Sequence, residues 1–559
     1  MFTPISPADH SFLRHMPRRL SITYDKLSKS LLINTEGLIE CNTSGSIHIS
    51  IAPNAVAQEY NTNEAALRSK GIIICRDAEG IRILNDPFCT IPLYYTENIT
   101  HFTASSDPQE LIDYRMHPYD IVGVWETLLL NSPLWNRTPF KGIKFLPAAC
   151  ELRLGKEVKL QRYWNFEFEP TCSNFNQRSF FCDFDDLLNL KFSNIHADTI
   201  CMGLSGGNDS RLAAYYLAKN KHRFSEIELI TYAAHPNSNE FRYACEVADT
   251  LNLKSPHLHL LRDDHYQDGL TYLPQWSAGQ INNQHCHFSS YLKEVDHATD
   301  GKTHLSNYYT DAVFGFECGK QEPLSGIFTA SAYKTILSAR HISESIRAEM
   351  LDDCCLALSP MQGAENYFSS LNEFKYVAER NPRFHLSLAF IQSQFMPTAL
   401  PFADIDVIKM AMQVPVNLRA HKGILDKLLN HLNPRLTKIG SSANTEYFYG
   451  SKSRLCNGTL AERMEFKKFR FLNMTTQLLS KLSGGMIRIG NPYQTEDQIS
   501  VYRKSFSHLT SLVVANDALR ECLGRSVIEQ IFREDLYLRN LAERFHLISF
   551  HHLSMGRAK

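Results

Sequence analysis

The sequence lacks the patterns that mark several specialised classes of protein. Its 14 cysteines show no metal-type C-x-x-C spacing, so a structural zinc site is not indicated and the free thiols of a cytosolic protein are expected. No apolar run approaches the roughly 18 residues that would predict a membrane-spanning helix. Residues 1–19 mix Pro, Asp, His and Arg and lack the apolar core of a signal peptide. We therefore expect a cytoplasmic protein with no membrane partner.

Charge of either sign is not in excess. The 58 Lys and Arg residues balance 59 Asp and Glu residues, which leaves a formal net charge of -1. A nucleic-acid partner is not expected, because such proteins carry a basic surface. The hydrophobic content of 43% is ordinary for a globular protein, and 559 residues are enough for two or more domains.

Two common phosphate-binding motifs are also missing, the Gly-Lys-Ser/Thr ending of a Walker A loop and G-x-G-x-x-G. In their place, residues 204–210 read Leu-Ser-Gly-Gly-Asn-Asp-Ser, between an apolar run and a stretch with helical spacing. Paired glycines let a ligand approach the backbone closely, and amides at the start of the following helix are free to bind an anion. Asp209 adds a carboxylate that can hold a cation against phosphate. These residues predict a phosphate-binding loop, and the competing interpretation is a turn of purely structural use.

The loop resembles the Ser-Gly-Gly-x-Asp-Ser pyrophosphate loop of the ATP pyrophosphatases. This resemblance implies ATP and Mg²⁺ as cofactors, with Asp209 as a metal ligand. The nucleotide-binding residues that it implies are Leu204, Ser205, Gly206, Gly207, Asp209, Ser210 and, on the next predicted strand, Tyr232.

Hydrophobic periodicity changes along the chain. Up to about residue 165, short alternating or apolar runs such as 46–51, 71–75 and 81–84 predict a β-rich region. After a plausible linker, strands alternate with helices, which predicts a doubly wound and mostly parallel sheet. The Gly-rich loop would then follow a strand at its carboxyl end, where such sheets bind ligands.

The β-rich region resembles the glutaminase domain of asparagine synthetases, through Asp-Pro at 86–87 and Pro-Leu-Tyr-Tyr at 92–95. It also departs from that domain. Phe2 stands where the family has a nucleophilic cysteine, and Cys89 and Ile91 replace a motif glycine and arginine. Amide hydrolysis needs an activated nucleophile and an oxyanion hole. We therefore expect a structural role for this region, without glutamine hydrolysis.

The predicted fold class is α/β, with three parts. Residues 1–168 form a degenerate glutaminase-like (Ntn-hydrolase-like) domain. Residues 180–440 form an asparagine-synthetase-like ATP-pyrophosphatase domain with a doubly wound parallel sheet. Residues 441–559 form a helical C-terminal extension, to which no chemistry is assigned.

Residues 303–316 resemble a second motif of the asparagine synthetase family. Asp311 falls on the aspartate that helps to hold magnesium and pyrophosphate in that family. Tyr308 replaces an acidic residue, as in the related β-lactam synthetases, in which a tyrosine works with a glutamate. Glu344 is the predicted partner, with Glu349 as the alternative. A phenol can relay a proton if a carboxylate orients it, and the alternative is a tyrosine that only packs.

A lysine near the phosphates is the remaining implied catalytic group. The family has a lysine before paired leucines, and Lys427 is predicted for this role with Lys422 as the alternative. A fixed cation there would stabilise charge that develops on the leaving pyrophosphate. Either lysine could instead be a solvated helix residue.

The implied activity is an ATP-dependent carbon–nitrogen ligase that activates a carboxylate as an acyl-adenylate and releases pyrophosphate. Its partners would be a small-molecule or peptide carboxylate and an amine or ammonia, with a partner protein or homodimer possible. Two alternatives stay open. One is an intramolecular cyclase similar to β-lactam synthetases or lasso-peptide cyclases, and the other is a nucleotide-binding relative without catalysis.

Overall fold

The structure, a computed structural model, covers most of the first 440 residues. It describes residues 18–36, 38–43, 46–50, 62–113, 118–130, 132–164, 175–233, 236–262, 276–281, 301–315, 342–358, 375–440 and 517–526, with the single positions 265, 273, 464, 475 and 482. Phe2 and most of the predicted extension 441–559 lie outside the described residues.

The first part of the chain forms two antiparallel sheets, as the short alternating runs predict. One sheet has the order β2-β1-β8-β7-β9 and the other has the order β11-β10-β6-β5-β4-β3. Side chains alternate between buried and partly exposed along Arg19–Asp25, because successive residues of a strand point to opposite faces. The strands are β1 (Arg19–Asp25), β2 (Ser30–Glu36), β3 (Ile39–Thr43), β4 (Ser46–Ser50), β5 (Gly71–Asp77), β6 (Gly80–Asn85), β7 (Tyr94–Glu97), β8 (His101–Ser105), β9 (Lys144–Phe145), β10 (Cys150–Leu154) and β11 (Val158–Arg162).

The second part contains a five-stranded parallel sheet. Its strands are β12 (Thr199–Gly203), β13 (Glu226–Ala233), β14 (His257–Leu260), β15 (Lys302–Leu305) and β16 (Thr398–Ala399). The order is β14-β13-β12-β15-β16, and each neighbouring pair is parallel. The strands β13 and β14 are therefore added on one side of β12, and the later strands β15 and β16 are added on the other side. Ligands of open α/β sheets bind in the crevice at such a switch point, outside the carboxyl ends of the strands.

Helices connect and cover these sheets. They are α1 (Thr62–Arg68), α2 (Ile121–Leu130), α3 (Gln177–Ser193), α4 (Asn208–Lys219), α5 (Asn239–Thr250), α6 (Thr310–Val313), α7 (Glu344–Leu358), α8 (Asn381–Arg383), α9 (His385–Ser393), α10 (Ile405–Ala411), α11 (Val416–Arg419), α12 (Gly423–Leu432) and α13 (Asp517–Leu523). A π-helical segment, Lys375–Arg380, precedes α8, and a 3₁₀ turn, Ala420–Lys422, precedes α12. No helix in the described part of the chain is long and apolar enough to cross a membrane.

One continuous hydrophobic core includes residues of the antiparallel sheets and of the parallel sheet. At the contact between them, the Phe88 ring meets the Tyr309 ring edge-on with 5.0 Å between centroids. The buried Arg383 guanidinium donates to the carbonyl oxygens of Trp135 and Arg137. The fold is thus mixed α/β, and the division into domains at residues 168 and 180 stays a prediction.

Candidate functional site

The Gly-rich loop connects the carboxyl end of β12 to the start of α4. Gly207 is the N-cap of α4 and, lacking a side chain, contributes no side-chain cap hydrogen bond, so this helix start keeps amides for another acceptor. Inside the loop, the Gly207 amide donates to Ser205 Oγ at 3.1 Å, and the hydroxyls of Ser205 and Ser210 lie 2.8 Å apart. Ser210 is buried and stabilises the turn itself, while Ser205 is half-buried.

The loop is tethered to the neighbouring strand β13. The Leu204 amide donates to the Ile230 carbonyl at 2.8 Å, and Thr231 Oγ1 donates to the Leu204 carbonyl at 2.7 Å. Tyr232, predicted to contact the nucleotide, is half-buried one strand away from the loop, and its ring lies edge-on to His259 at 5.6 Å.

Arg211 holds the loop through hydrogen bonds to backbone carbonyl groups. Its side chain is buried, and its guanidinium donates to the carbonyl oxygens of Gly206 at 2.9 Å and of Leu436 at 2.9 Å. Further bonds reach the carbonyls of Ile439 and Gly440. A buried guanidinium is stable only when its donors are used, so Arg211 joins the loop to the segment that follows α12.

Three charged side chains meet beside the loop. Lys422 Nζ lies 2.5 Å from Asp209 Oδ2 and forms a second ion pair with Asp311 Oδ1. Asp209 lies at the start of α4 after β12, and Asp311 lies in α6, shortly after β15. Because β12 and β15 are parallel neighbours, their carboxyl ends bring the two aspartates together. The structure therefore places both predicted metal ligands at one point.

The charge balance of this group perturbs its titration. Burial raises the pKa of Asp209 to about 6, Lys422 opposes that rise, and the neighbouring Asp311 carboxylate adds to it. Burial alone would lower the pKa of Lys422, but the two carboxylates raise it above its usual range. Lys422 is therefore an ammonium at neutral pH. Strong pKa perturbation of grouped charges is typical of functional sites.

The two carboxylates fit a hard divalent cation. Asp209 Oδ1 is buried and accepts no hydrogen bond from the part of the chain that the structure describes, so a lone-pair donor is available where a second carboxylate lies close by. Mg²⁺ is usually bound through one or two carboxylates together with phosphate oxygens and water. Among the described residues, no group of three or more His, Cys, Asp or Glu side chains could hold a metal ion.

Lys427, the predicted catalytic lysine, does not reach this group. It is exposed on α12, whereas Lys422, five positions earlier, precedes that helix and points to the aspartates. His421 and Lys422 adopt consecutive left-handed conformations, with φ of 53° and 62°. Such backbone is unfavourable for residues with a side chain and is concentrated at functional sites. Asn208 Nδ2 donates to Asp426 Oδ1 at 2.5 Å, which ties α12 to the start of α4.

Tyr308 lies near the charged group, but its predicted glutamate partner does not accompany it. The Tyr308 ring stacks on His385, with 5.5 Å between centroids and 21° between planes. Burial raises the pKa of Tyr308, and Gln392 hydrogen-bonds its side chain. Glu344 is exposed in the first turn of α7, and the contacts described for Tyr308 involve other residues. The alternative, Glu349, forms an ion pair with Arg137, with 3.5 Å between Glu349 Oε2 and Arg137 Nη2.

His385 is the site residue that the sequence did not indicate. Burial lowers its pKa to about 3, with a smaller lowering by Arg380 and an opposing effect of Asp311. Its imidazole is therefore neutral, and Nδ1 pairs with Asn381 Oδ1. No local motif marks it, since it lies 77 positions after Tyr308 (385 − 308).

A separate open cleft of about 750 Å³ lies at the opposite, amino ends of β12 and β15. Its lining includes Arg18, His196, Asp198, Arg223 and Lys302. None of the predicted site residues lines it, so it is distinct from the group beside the Gly-rich loop.

The comparisons with known proteins give no family for this chain. No family model matches it, and no curated protein matches it.

Proposed function

We propose that this protein is an ATP-dependent amide-forming ligase that activates a carboxylate as an acyl-adenylate and releases pyrophosphate. The observation that carries the proposal is the meeting of Asp209, Asp311 and Lys422 beside the Gly-rich loop, at the switch point of a parallel sheet. Paired carboxylates with one lysine next to free helix amides suit a metal–triphosphate ligand.

Each part of the group has a role in this proposal. The amides at the start of α4 bind phosphate oxygens, and Ser205 contributes its hydroxyl from the accessible side of the loop. Asp209 and Asp311 would hold Mg²⁺, which neutralises phosphate charge. Lys422, rather than Lys427, stabilises the charge that develops on the leaving pyrophosphate as the substrate carboxylate attacks the α-phosphorus.

The second half-reaction would join the activated acyl group to an amine or ammonia. Tyr308, hydrogen-bonded by Gln392 and stacked on the neutral His385, is the proposed relay: its oxygen takes a proton from the attacking amine as its own proton passes to solvent, and AMP leaves as the amide bond forms. The protein would take its nitrogen from a source other than its own glutaminase, since Cys89 and Ile91 replace motif residues of that domain.

An intramolecular cyclase is the second candidate function. Tyr308 supports it, because the position resembles that of the tyrosine in β-lactam synthetases, which close a ring with an internal amine. A precursor that carries both groups, given alone with ATP, would yield a ring with this enzyme. An intermolecular ligase would require the amine as a separate addition.

Nucleotide binding tests the proposal most directly. Calorimetric titration of the full chain with ATP should show binding that depends on Mg²⁺ and that Asp209→Ala removes. Lys427→Ala is the matched control and should bind as the wild type does. Equal ATP affinity in wild type and Asp209→Ala would refute the assignment of this site.

A further inference from the structure

We propose that Lys422 is an internal counter-ion that occupies the divalent-cation position until a triphosphate arrives, so that metal enters only together with the nucleotide. This inference rests on the proposed ATP site and specifies how that site is loaded. It concerns one side chain and the two carboxylates that it bridges.

The contacts put the ammonium at the place that a shared cation would take. Lys422 Nζ lies 2.5 Å from Asp209 Oδ2 and pairs at the same time with Asp311 Oδ1. An ion bound by both carboxylates would therefore lie within a few ångströms of Nζ. Two like charges at such a separation repel strongly where water is partly excluded. Lys422 and a divalent ion consequently compete for the same carboxylates.

The ammonium also removes most of the reason for a free metal ion to bind. Two carboxylates and one ammonium leave a local charge of about one negative unit, whereas the carboxylates alone would present two. A triphosphate changes this balance, because its oxygens offer the lysine new partners. The lysine can then leave the carboxylates while remaining paired.

The backbone favours such a departure. His421 and Lys422 are both left-handed, with φ of 53° and 62°, and in that conformation Lys422 forms the two ion pairs. Residues held in this region carry strain that surrounding contacts must offset. Release of the ion pairs lets the turn before α12 relax.

Access to the group does not require unfolding. The exposed side-chain fractions are 24% for Asp209, 20% for Lys422 and 32% for Asp311. Asp209 Oδ1 is buried, but part of each side chain is accessible to solvent in the folded state, so a small ion has an approach to the carboxylates and Lys422 is what competes with it there.

Binding of Mn²⁺ without nucleotide tests this inference. Electron paramagnetic resonance measures free Mn²⁺ during titration of the full chain. We expect Lys422→Met to bind one Mn²⁺ at least about tenfold more tightly than wild type, because a competing unit charge is removed from contact distance. Lys427→Met is the matched control, with the same change of charge five positions further along, and it should bind Mn²⁺ as the wild type does. The double variant Lys422→Met/Asp209→Asn should not show this increase in Mn²⁺ affinity, because one of the two carboxylates is removed.

The outcomes separate this inference from the proposed function. No gain in Lys422→Met, or an equal gain in Lys427→Met or in the double variant, would overturn the counter-ion role. Titration of wild type with α,β-methylene-ATP and Mn²⁺ addresses the nucleotide site independently. If the analogue binds but Lys422→Met does not bind Mn²⁺ more tightly than wild type, the proposed function stands and the counter-ion role of Lys422 is refuted. Tighter Mn²⁺ binding by Lys422→Met without binding of the analogue would support the competition between Lys422 and the metal ion and would refute the proposed ATP site.

Discussion

Two aspartates, the buried Asp86 of the antiparallel region and the partly buried Asp209 of the parallel-sheet region, have pKa values raised to a similar extent in different surroundings. Burial raises the pKa of Asp86 to about 6, and it raises that of Asp209 to about 6 as well. Asp86 accepts hydrogen bonds from the Phe88 amide at 2.7 Å and from the Thr90 amide and hydroxyl at 3.0 and 2.6 Å. These donors lie within four residues, a further backbone hydrogen bond comes from Gly71 at the start of β5, and the side chain is fully buried.

Asp209 has the opposite environment. Its partner Lys422 lies 213 positions away in the chain, its neighbour Asp311 comes from a third segment, and one of its oxygens has no hydrogen-bond partner among the described residues. The comparison teaches that a raised carboxyl pKa does not by itself mark a functional site. What distinguishes Asp209 is its partial exposure, its unused hydrogen-bonding capacity and its charged partners from distant segments, whereas Asp86 is fully buried and is bonded by uncharged donors.

Replacement of Asp209 should give the largest functional effect. Asp209→Asn keeps the size of the side chain but removes its charge, so ATP–pyrophosphate exchange with a responsive carboxylate should fall about 10³-fold. Exchange measured with a panel of amino acids and small carboxylates tests this. Asp86→Asn should retain exchange per folded molecule, and a comparable loss in that variant would contradict the division between the two aspartates.

Removal of the site lysine should have the next largest effect. Lys422→Ala should lower exchange by about 10²- to 10³-fold, because charge on the leaving pyrophosphate loses a fixed cation. Lys427→Ala should remain within about twofold of wild type, since an exposed helix lysine contributes little. The reverse ranking of these two variants in the same exchange assay would restore the motif-based assignment.

The pH dependence of stability should identify Asp86 as a structural residue. Its folded pKa, about 6, exceeds the unfolded value of 3.8, so the folded state holds the proton more tightly. Its contribution to stability is present below pH 4 and is lost as the pH rises to 6, by about 3 kcal/mol. Asn does not titrate, so the stability difference between wild type and Asp86→Asn should change by that amount between pH 3 and 7. Urea denaturation followed by tryptophan fluorescence measures it, and parallel pH profiles would show that Asp86 does not titrate as described.

Replacement of Tyr308 should slow amide formation but leave adenylate formation unchanged. Tyr308→Phe retains the ring and its stacking on His385, so exchange should be unchanged while amide formation falls about 10²-fold. Product formation with ammonium as the nitrogen source, compared with exchange, gives this separation. Full amide formation in Tyr308→Phe would make this tyrosine a packing residue.

Much of the local structure follows from periodicity. Apolar residues at helical spacing over 344–358 and 240–251 predict helices there, and the structure has Glu344–Leu358 and Asn239–Thr250. In the latter, Tyr243 and Val247 are buried on one face, as their spacing requires. Helical spacing over 381–394 predicts one further helix, but the structure divides it at Phe384 into Asn381–Arg383 and His385–Ser393.

The sequence by itself determined the strand–loop–helix around 204–210 and the alternation that builds both kinds of sheet, because glycine freedom and side-chain periodicity act between near neighbours. Only the tertiary structure decided which lysine meets Asp209, where Arg211 binds, and that His385 rather than Glu344 lies against Tyr308. Those contacts join residues far apart in the chain. They depend on the meeting of the carboxyl ends of β12 and β15 and on a left-handed turn before α12, which no local pattern specifies.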